Sequence, residues 1–377
     1  GSIAETVFAF ASDSRNAAGG GERNIYGVNS YILKKLSAVA YNKNSDFFLF
    51  TGDLIDGYLQ DRGEQQLQYT NWKRTIEPFA HSMPFYVGMG NHESLNFSFD
   101  DGSKYGLSVN RFPYKTESGE ALFNLNFANP LNGPGSEDGA IYDPNPDKTD
   151  FPPYKENVYY FIHGNTAVIV LNSNYLYSPS RRSLEKMGGN LHGYIMNQQL
   201  EWFEKTVENF EKDRDIDHVF VTFHTPMFPN GGHTKDDMWY HGDNSYRPYI
   251  GGKALEDGII ERRDDLLDIM VNKSTKVRAV LAGDEHNYSR TEISKGMDIY
   301  PEGWEKEQLN LKRTIWQITN GAAGAPYYGQ EITPWTENVR KFTAQYALVL
   351  FRINGGNISV EVWNPDTMSL IEKFEMK

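Results

Sequence analysis

Asp13, Asp53, the Asn91-His92 pair, His224 and His286 share one setting: each follows a short apolar run within a few residues. The runs are "TVFAFA", "DFFLFTG", "FYVGMG", "HVFVTF" and "VRAVLAGDE". A lone Asp or His after a strand is most often a cap or a turn residue. Five such ends in succession differ, because in open α/β sheets the carboxyl ends of strands converge on one crevice. Their oxygens and imidazoles, with no thiolate, suit Mn, Fe or Zn, and a shared carboxylate can bridge two ions. The chemistry on offer is metal-assisted.

The elements that must position these groups can be read from periodicity. Near-continuous apolar strands alternate with helical patterns, which indicates buried, partly parallel sheets covered by helices. "VNSYILKKLSAVAYN" places Tyr31, Leu33, Leu36, Val39 and Ala40 at helical spacing, and "NQQLEWFEKTVENFEK" does so with Leu200, Phe203, Val207 and Phe210. Near the C-terminus, Asn354-Gly355-Gly356 between alternating stretches predicts a hairpin. Residues 95–157, 225–258 and 296–313 read as loop insertions in one domain spanning 3–377, either building a substrate site or decorating the surface. Gly1-Ser2 reads as a cloning remnant.

Composition narrows the function. The 377 residues are 39% hydrophobic and 23% charged, as in a soluble globular protein. No apolar run approaches the ~20 residues of a membrane span. A net charge of −13 argues against a nucleic-acid surface and gives no long-range attraction for an anion, so phosphate chemistry would need a local cation. With no Cys, disulfides and a Cys nucleophile are excluded. The absent Cys and the many Asn, Tyr and Gly-rich loops lean towards an exported protein without fixing the compartment. Oligomeric state is not legible.

In order, "GDLIDG" (52–57), "GNHE" (90–93), "FHTP" (223–226) and "GDEH" (283–286) resemble the motifs of the calcineurin-like metallophosphoesterases, which include purple acid phosphatases and serine/threonine protein phosphatases. The family order is Asp-x-His, Gly-Asp, Gly-Asn-His-Glu/Asp, His, then Gly-His-x-His. The resemblance runs from Asp13 to about residue 328. It implies a four-layer α/β/β/α sandwich of two mixed β-sheets, with the metals at strand carboxyl ends. It also implies hydrolysis of a phosphate mono- or diester by a metal-bridging hydroxide. Asp13 and His286 would hold one ion, Asn91, His224 and residue 284 the other, and Asp53 would bridge. His92 would protonate the leaving oxygen or stabilise its charge. Asp56 stands where protein phosphatases have an Asp that orients this His and purple acid phosphatases a metal-binding Tyr. The carboxylate favours orientation of His92 and argues against a purple-type iron site.

Two positions depart from the family. "DSR" has Arg15 where the first motif has His, and "GDEH" has Asp284 where the last motif has its first His. Asp284 adds a negative charge and Arg15 a positive one, so the site's formal charge is unchanged, which reads as one coupled adaptation. Arg15 is expected either to contact Asp284 or to hold the substrate phosphate. Two alternatives stay open: an Arg15–Asp284 salt bridge filling the pocket of a non-catalytic protein, or a one-metal hydrolase in which Arg15 replaces a cation. His233 and His241, in the insertion after His224, are candidates to reach the phosphate, against the commoner reading of surface histidines.

Overall fold

A computed structural model describes residues 5–15, 24–95, 118–178 and 184–376. Gly1-Ser2, and residues 96–117 of the first insertion, lie outside them.

The first part of the chain runs β1 (Thr6–Ala11), α1 (Ser30–Asn42), β2 (Phe47–Phe50), α2 (Arg62–Ala80), β3 (Phe85–Val87) and α3 (Gly119–Asn124). Next come β4 (Tyr159–His163), β5 (Thr166–Val170), α4 (Leu184–Met187), α5 (Asn197–Lys212), β6 (His218–Thr222), β7 (Tyr249–Ile250), β8 (Lys253–Ala254) and α6 (Ile259–Leu267). The last part is β9 (Val277–Ala282), β10 (Tyr288–Ile293), β11 (Ile315–Asn320), β12 (Val339–Thr343), β13 (Leu348–Asn354), β14 (Asn357–Trp363) and β15 (Leu370–Met376).

Two mixed sheets form, in the orders β15-β14-β13-β1-β2-β3 and β12-β10-β11-β9-β6-β5-β4. In the first sheet β1, β2 and β3 run parallel on one side and β13, β14 and β15 antiparallel on the other, while the second has a parallel centre, β5, β6, β9 and β11, between antiparallel edges. The reason is compositional. The central strands are apolar on both faces and so must be covered on both. Phe8, Phe10, Phe47 and Leu49 of one sheet meet Val168, Val170, Phe220 and Leu281 of the other in a dry layer between them. Phe8 stacks on Phe47 and Phe351 and meets Phe220 edge-on, each within about 5 Å of ring centre. The outer faces are covered by α1 and α2 on the first sheet and by α5 and α6 on the second. This is the four-layer α/β/β/α sandwich.

Both helices expected from periodicity form. Asn29 caps α1 by accepting a hydrogen bond from the Ile32 amide. The expected hairpin is present too: Asn354 pairs with Asn357, and Gly355 takes the left-handed φ (57°) that the two-residue turn requires. The second insertion is not surface decoration. Met227, Phe228, Asn230, Asp237, Met238, Trp239 and Tyr240 are buried, and the segment covers the carboxyl ends of the second sheet. Among the described residues no helix is long and apolar enough to cross a membrane.

Candidate metal centre

The ends of β1, β2 and β3 in one sheet and of β6 and β9 in the other meet, and the loops leaving them are tied together. Ser12 Oγ donates to the Gly52 carbonyl (3.0 Å), Ser14 Oγ to that of Leu54 (2.9 Å), and the Gly283 amide to that of His224 (2.8 Å). The approach is too close for side chains at the motif glycines. A Cβ on Gly52, whose φ is 120°, would lie 2.5 Å from the Gly90 nitrogen and 2.8 Å from His224 Nδ1. Asp13, Asp53, Asp237 and Asp284 themselves adopt left-handed φ between 49° and 66°. An L residue there costs on the order of 1–3 kcal/mol, and such strain gathers where function fixes a side chain. Here it aims four carboxylates inward.

His224 Nε2 lies 3.2 Å from Asp53 Oδ1, 3.3 Å from Asp284 Oδ1 and 4.0 Å from Asp13 Oδ1. The opposite ring nitrogen, Nδ1, is 3.2 Å from the Thr51 carbonyl. That bond leaves Nε2 for the carboxylate cluster. Asn91 hydrogen-bonds through Nδ2 to the Tyr58 hydroxyl, which leaves Asn91 Oδ1 buried without a hydrogen bond. Asp13 Oδ1, Asp53 Oδ2 and His224 Nε2 are likewise buried without one. Burial alone would raise the Asp53 pKa, but His92, His224 and Arg15 hold it below the usual carboxylate range. Burial opposes a proton on His224, yet Asp53, Asp13 and Asp284 push its pKa well above that of free imidazole. Buried polar atoms are normally satisfied. Oxygen and imidazole atoms left free in one place suit a divalent cation, which displaces the proton from the ring. Asp13, Asp53, His224 and Asp284 fit that ion.

Glu93 and Glu285 build the frame. Glu93 accepts the amides of Asp53 (2.9 Å), Leu54 (2.9 Å) and Gly90 (2.6 Å), and burial beside Asp53 pushes its pKa up to about 8. Glu285 accepts the amides of Gly231 (2.8 Å) and His233 (3.2 Å), and burial raises it to about 7. Each carboxyl clamps a loop that carries candidate ligands.

Arg15 departs from the expected contact. Its Nε is 3.4 Å from Asp53 Oδ2 and its Nη2 is 3.1 Å from His286 Nε2, whereas Asp284 faces His224, His192 and His233. The Arg15–Asp284 salt bridge therefore does not form. His286 Nδ1 donates to the Pro326 carbonyl (2.6 Å), so Nε2 carries the lone pair and accepts from the guanidinium. Where the resemblance puts an ion between Asp13 and His286, a fixed cation stands against His286 instead. Tyr328 stacks on the His286 ring, with ring centres 4.1 Å apart.

His92 Nδ1 bonds the Asp56 backbone carbonyl, and its Nε2 is 3.7 Å from Asp53 Oδ2. The expected orienting group was the Asp56 carboxylate; the peptide oxygen does that work, because the turn after Asp53 carries it under the ring. Burial takes the His92 pKa down to about 4 against the pull of Asp53. His241 is exposed on a turn, and among the described residues no contact joins its ring to the cluster.

His233 joins a second group with His192, Asp237 and Asp284, their ligand atoms all within 4.8 Å of one another. Sequence reasoning passed over His192, Asp237 and Tyr58. The His233-x-x-x-Asp237 spacing was a usable signal; nothing local marks His192 or Tyr58.

Many solved structures are similar in fold. A purple acid phosphatase from yellow lupin seeds superposes with a TM-score of 0.57 at 15% identity, over 98% of this chain and 53% of its own. This chain thus spans about half the length of the lupin enzyme. Plasmodium GAP50, described as the anchor in the inner membrane complex, gives 0.53 at 13% identity, over 100% of this chain and 89% of its own. PhoD gives 0.52 at 14% identity, over 100% and 73%. At such identities the likeness is one of fold. Among curated proteins none matches the chain in sequence. The calcineurin-like phosphoesterase family model matches residues 8–288, which takes in all of the motif residues from Asp13 to His286, and the protein belongs to that family.

Proposed function

We propose that the chain hydrolyses a phosphate mono- or diester in a metal-dependent reaction, with the guanidinium of Arg15 standing in for one of the two cations its relatives hold. One observation carries the reading: Asp13 Oδ1, Asp53 Oδ2, Asn91 Oδ1 and His224 Nε2 are buried at one place without hydrogen bonds, while the partly exposed Arg15 and the buried His92 stand beside Asp53. A bound divalent ion supplies Lewis-acid charge at the phosphoryl oxygens and activates water for attack on phosphorus. The residues do the rest. Arg15, kept cationic by Asp53, Asp13 and Asp56 despite its burial, offers the remaining N–H groups of its fork to a phosphoryl oxygen. His92 presents Nε2 to the same space, and an arriving phosphate anion raises its affinity for the proton it passes to the leaving oxygen. Asn91 is held by Tyr58 through its amide nitrogen, which leaves its amide oxygen open for the ion.

The discriminating experiment is hydrolysis of nitrophenyl phosphate and bis-nitrophenyl phosphate by chelated protein, before and after Mn²⁺ or Zn²⁺ is restored. Activity that returns with metal and vanishes in Asp53→Asn supports the reading. Protein that binds metal and hydrolyses neither ester is a binding scaffold, and the reading fails.

A further inference from the structure

The Asp284 carboxylate faces two ways. Oδ1 is 3.3 Å from His224 Nε2 in the central cluster, while Oδ2 is 3.2 Å from His192 Nε2 and 3.5 Å from His233 Nδ1. Behind Oδ2 sits Asp237, with Oδ1 3.8 Å from His192 Nδ1 and 3.9 Å from His233 Nδ1. Around an ion with ligands at about 2.0–2.2 Å, a near-tetrahedral set of donors stands roughly 3.3–3.6 Å apart. With one ring nitrogen of His192 ligating, Nε2, its 3.2 Å to Asp284 Oδ2 and the 3.5 and 3.9 Å from His233 Nδ1 to Asp284 and Asp237 bracket that range, and one ligand atom from each of the four residues lies within 4.8 Å of the others.

This group also has the wrong hydrogen bonding for a structural network. His192 Nε2, Asp284 Oδ2 and both oxygens of Asp237 are buried without a hydrogen bond. A buried carboxylate left in that state costs several kcal/mol unless a cation answers it. No Lys or Arg lies within ion-pair distance of Asp237 or Asp284 among the described residues; their neighbours are imidazoles. The backbone is committed as well. Asp237 takes a φ of 52°, Gly193 beside His192 takes 95°, and a Cβ on that glycine would lie 3.0 Å from the Asp237 carbonyl carbon. Both segments are pressed together to bring the ligands into reach.

We propose that His192, His233, Asp237 and Asp284 form a second divalent-cation site, with Asp284 as the bridging ligand to the central ion. The chain would then keep two ions, displaced by one place from the arrangement the family resemblance implies. Arg15 takes the vacated position at His286, and the former terminal ligand position, 284, becomes the bridge. This explains why both departures occur together without touching: a carboxylate has two oxygens for two ions, and imidazole in that position would serve only one. Two nitrogens and two carboxylates suit Zn²⁺ or Mn²⁺. An ion at His233 Nδ1 replaces the contact, now 3.0 Å, between that nitrogen and Asp236.

The proposal rests on the central cluster being a metal centre, and counting ions in variants separates the two ideas. Chelated protein is saturated with Zn²⁺ or Mn²⁺, desalted and analysed by mass spectrometry of the metal. Two ions per chain are expected in the wild type and one in Asp237→Asn, a nearly isosteric change. Asp53→Asn should lose the central ion and keep the other. Anomalous scattering from crystals should show a peak on each side of the Asp284 carboxylate and none between Asp53 and His286. His233→Ala, in a partly exposed loop residue, repeats the count if Asp237→Asn fails to fold. A wild-type count of one, lost in Asp53→Asn and kept in Asp237→Asn, would overturn the second site and leave the central one standing. Two ions retained in both Asp237→Asn and His233→Ala would also overturn it. A single ion lost in Asp237→Asn but not in Asp53→Asn would place an ion at the new site alone, and would overturn both the bridge through Asp284 and the central reading.

Discussion

Glu137 and Asp237 are equally hidden from water, yet their surroundings are opposite. Glu137 accepts the Tyr142 and Tyr154 hydroxyls and the amides of Gln198 (3.0 Å) and Gln199 (3.2 Å) at the start of α5, where the helix dipole favours a negative group. Asp237 has a hydrogen bond at neither oxygen, and burial beside Asp284 pushes its pKa well above the carboxylate range. The histidines divide the same way. His218 bonds the Gly355 carbonyl through Nε2 (2.8 Å) and accepts from Arg278 through Nδ1 (3.0 Å), whereas His192 and His224 each leave Nε2 free. Burial of an ionisable group therefore says little about its role. A group whose hydrogen bonds are complete belongs to the fold, and one left open among others like it is a candidate ligand.

The contrast can be tested from its strongest consequence downward. His92→Ala should lower turnover by roughly 10²–10⁴-fold. The loss should shrink for a nitrophenolate leaving group, which needs little protonation; equal losses for good and poor leaving groups would assign His92 to charge stabilisation instead. Glu137→Ala should cost about 3–5 kcal/mol of stability, read from denaturant unfolding, because two hydroxyls and two helix amides lose a buried partner. Its metal count and turnover should be untouched; a changed metal count would break the division drawn above.

Smaller effects follow. Tyr58→Phe removes the hydroxyl that holds Asn91, and metal affinity by calorimetric titration should fall about 10–100-fold with the fold intact. The least effect belongs to His218. Burial holds its pKa below that of free imidazole. The unfolded ring takes a proton near 6.5 and the folded ring does not, so this contribution to stability is present above about pH 6.5 and lost as pH falls. The unfolding midpoint of the wild type should drop more between pH 7 and pH 5 than that of His218→Gln. Parallel curves would remove His218 from the account.

Much of the frame was legible because it rests on local patterns. Apolar runs that must be buried on both faces gave the parallel strands, and Asp13, Asp53, Asn91, His92, His224, Asp284 and His286 follow from their ends. α2 was not legible, because its inner face carries Gln65 and Gln68 beside Tyr69 and Trp72, so no apolar stripe announces it. Those amides serve the site: Gln65 donates to the Glu93 carbonyl (2.7 Å) and Gln68 accepts from the Gly57 amide (2.8 Å).

What the sequence by itself determined is the set of candidate ligands at the strand ends and their family order, since both depend on spacing along the chain. Only the tertiary structure decided which groups answer one another. Arg15 and Asp284 looked like partners because their charges balance, but direction and distance send the guanidinium to His286 and Asp53 and the carboxylate to His192 and His233. His192 and Asp237 are 45 residues apart in the chain and meet only because the loop after β6 folds back over the sheet ends. A charge tally has no geometry, and geometry is what turns a replaced histidine into a carboxylate with an oxygen for each of two neighbouring clusters.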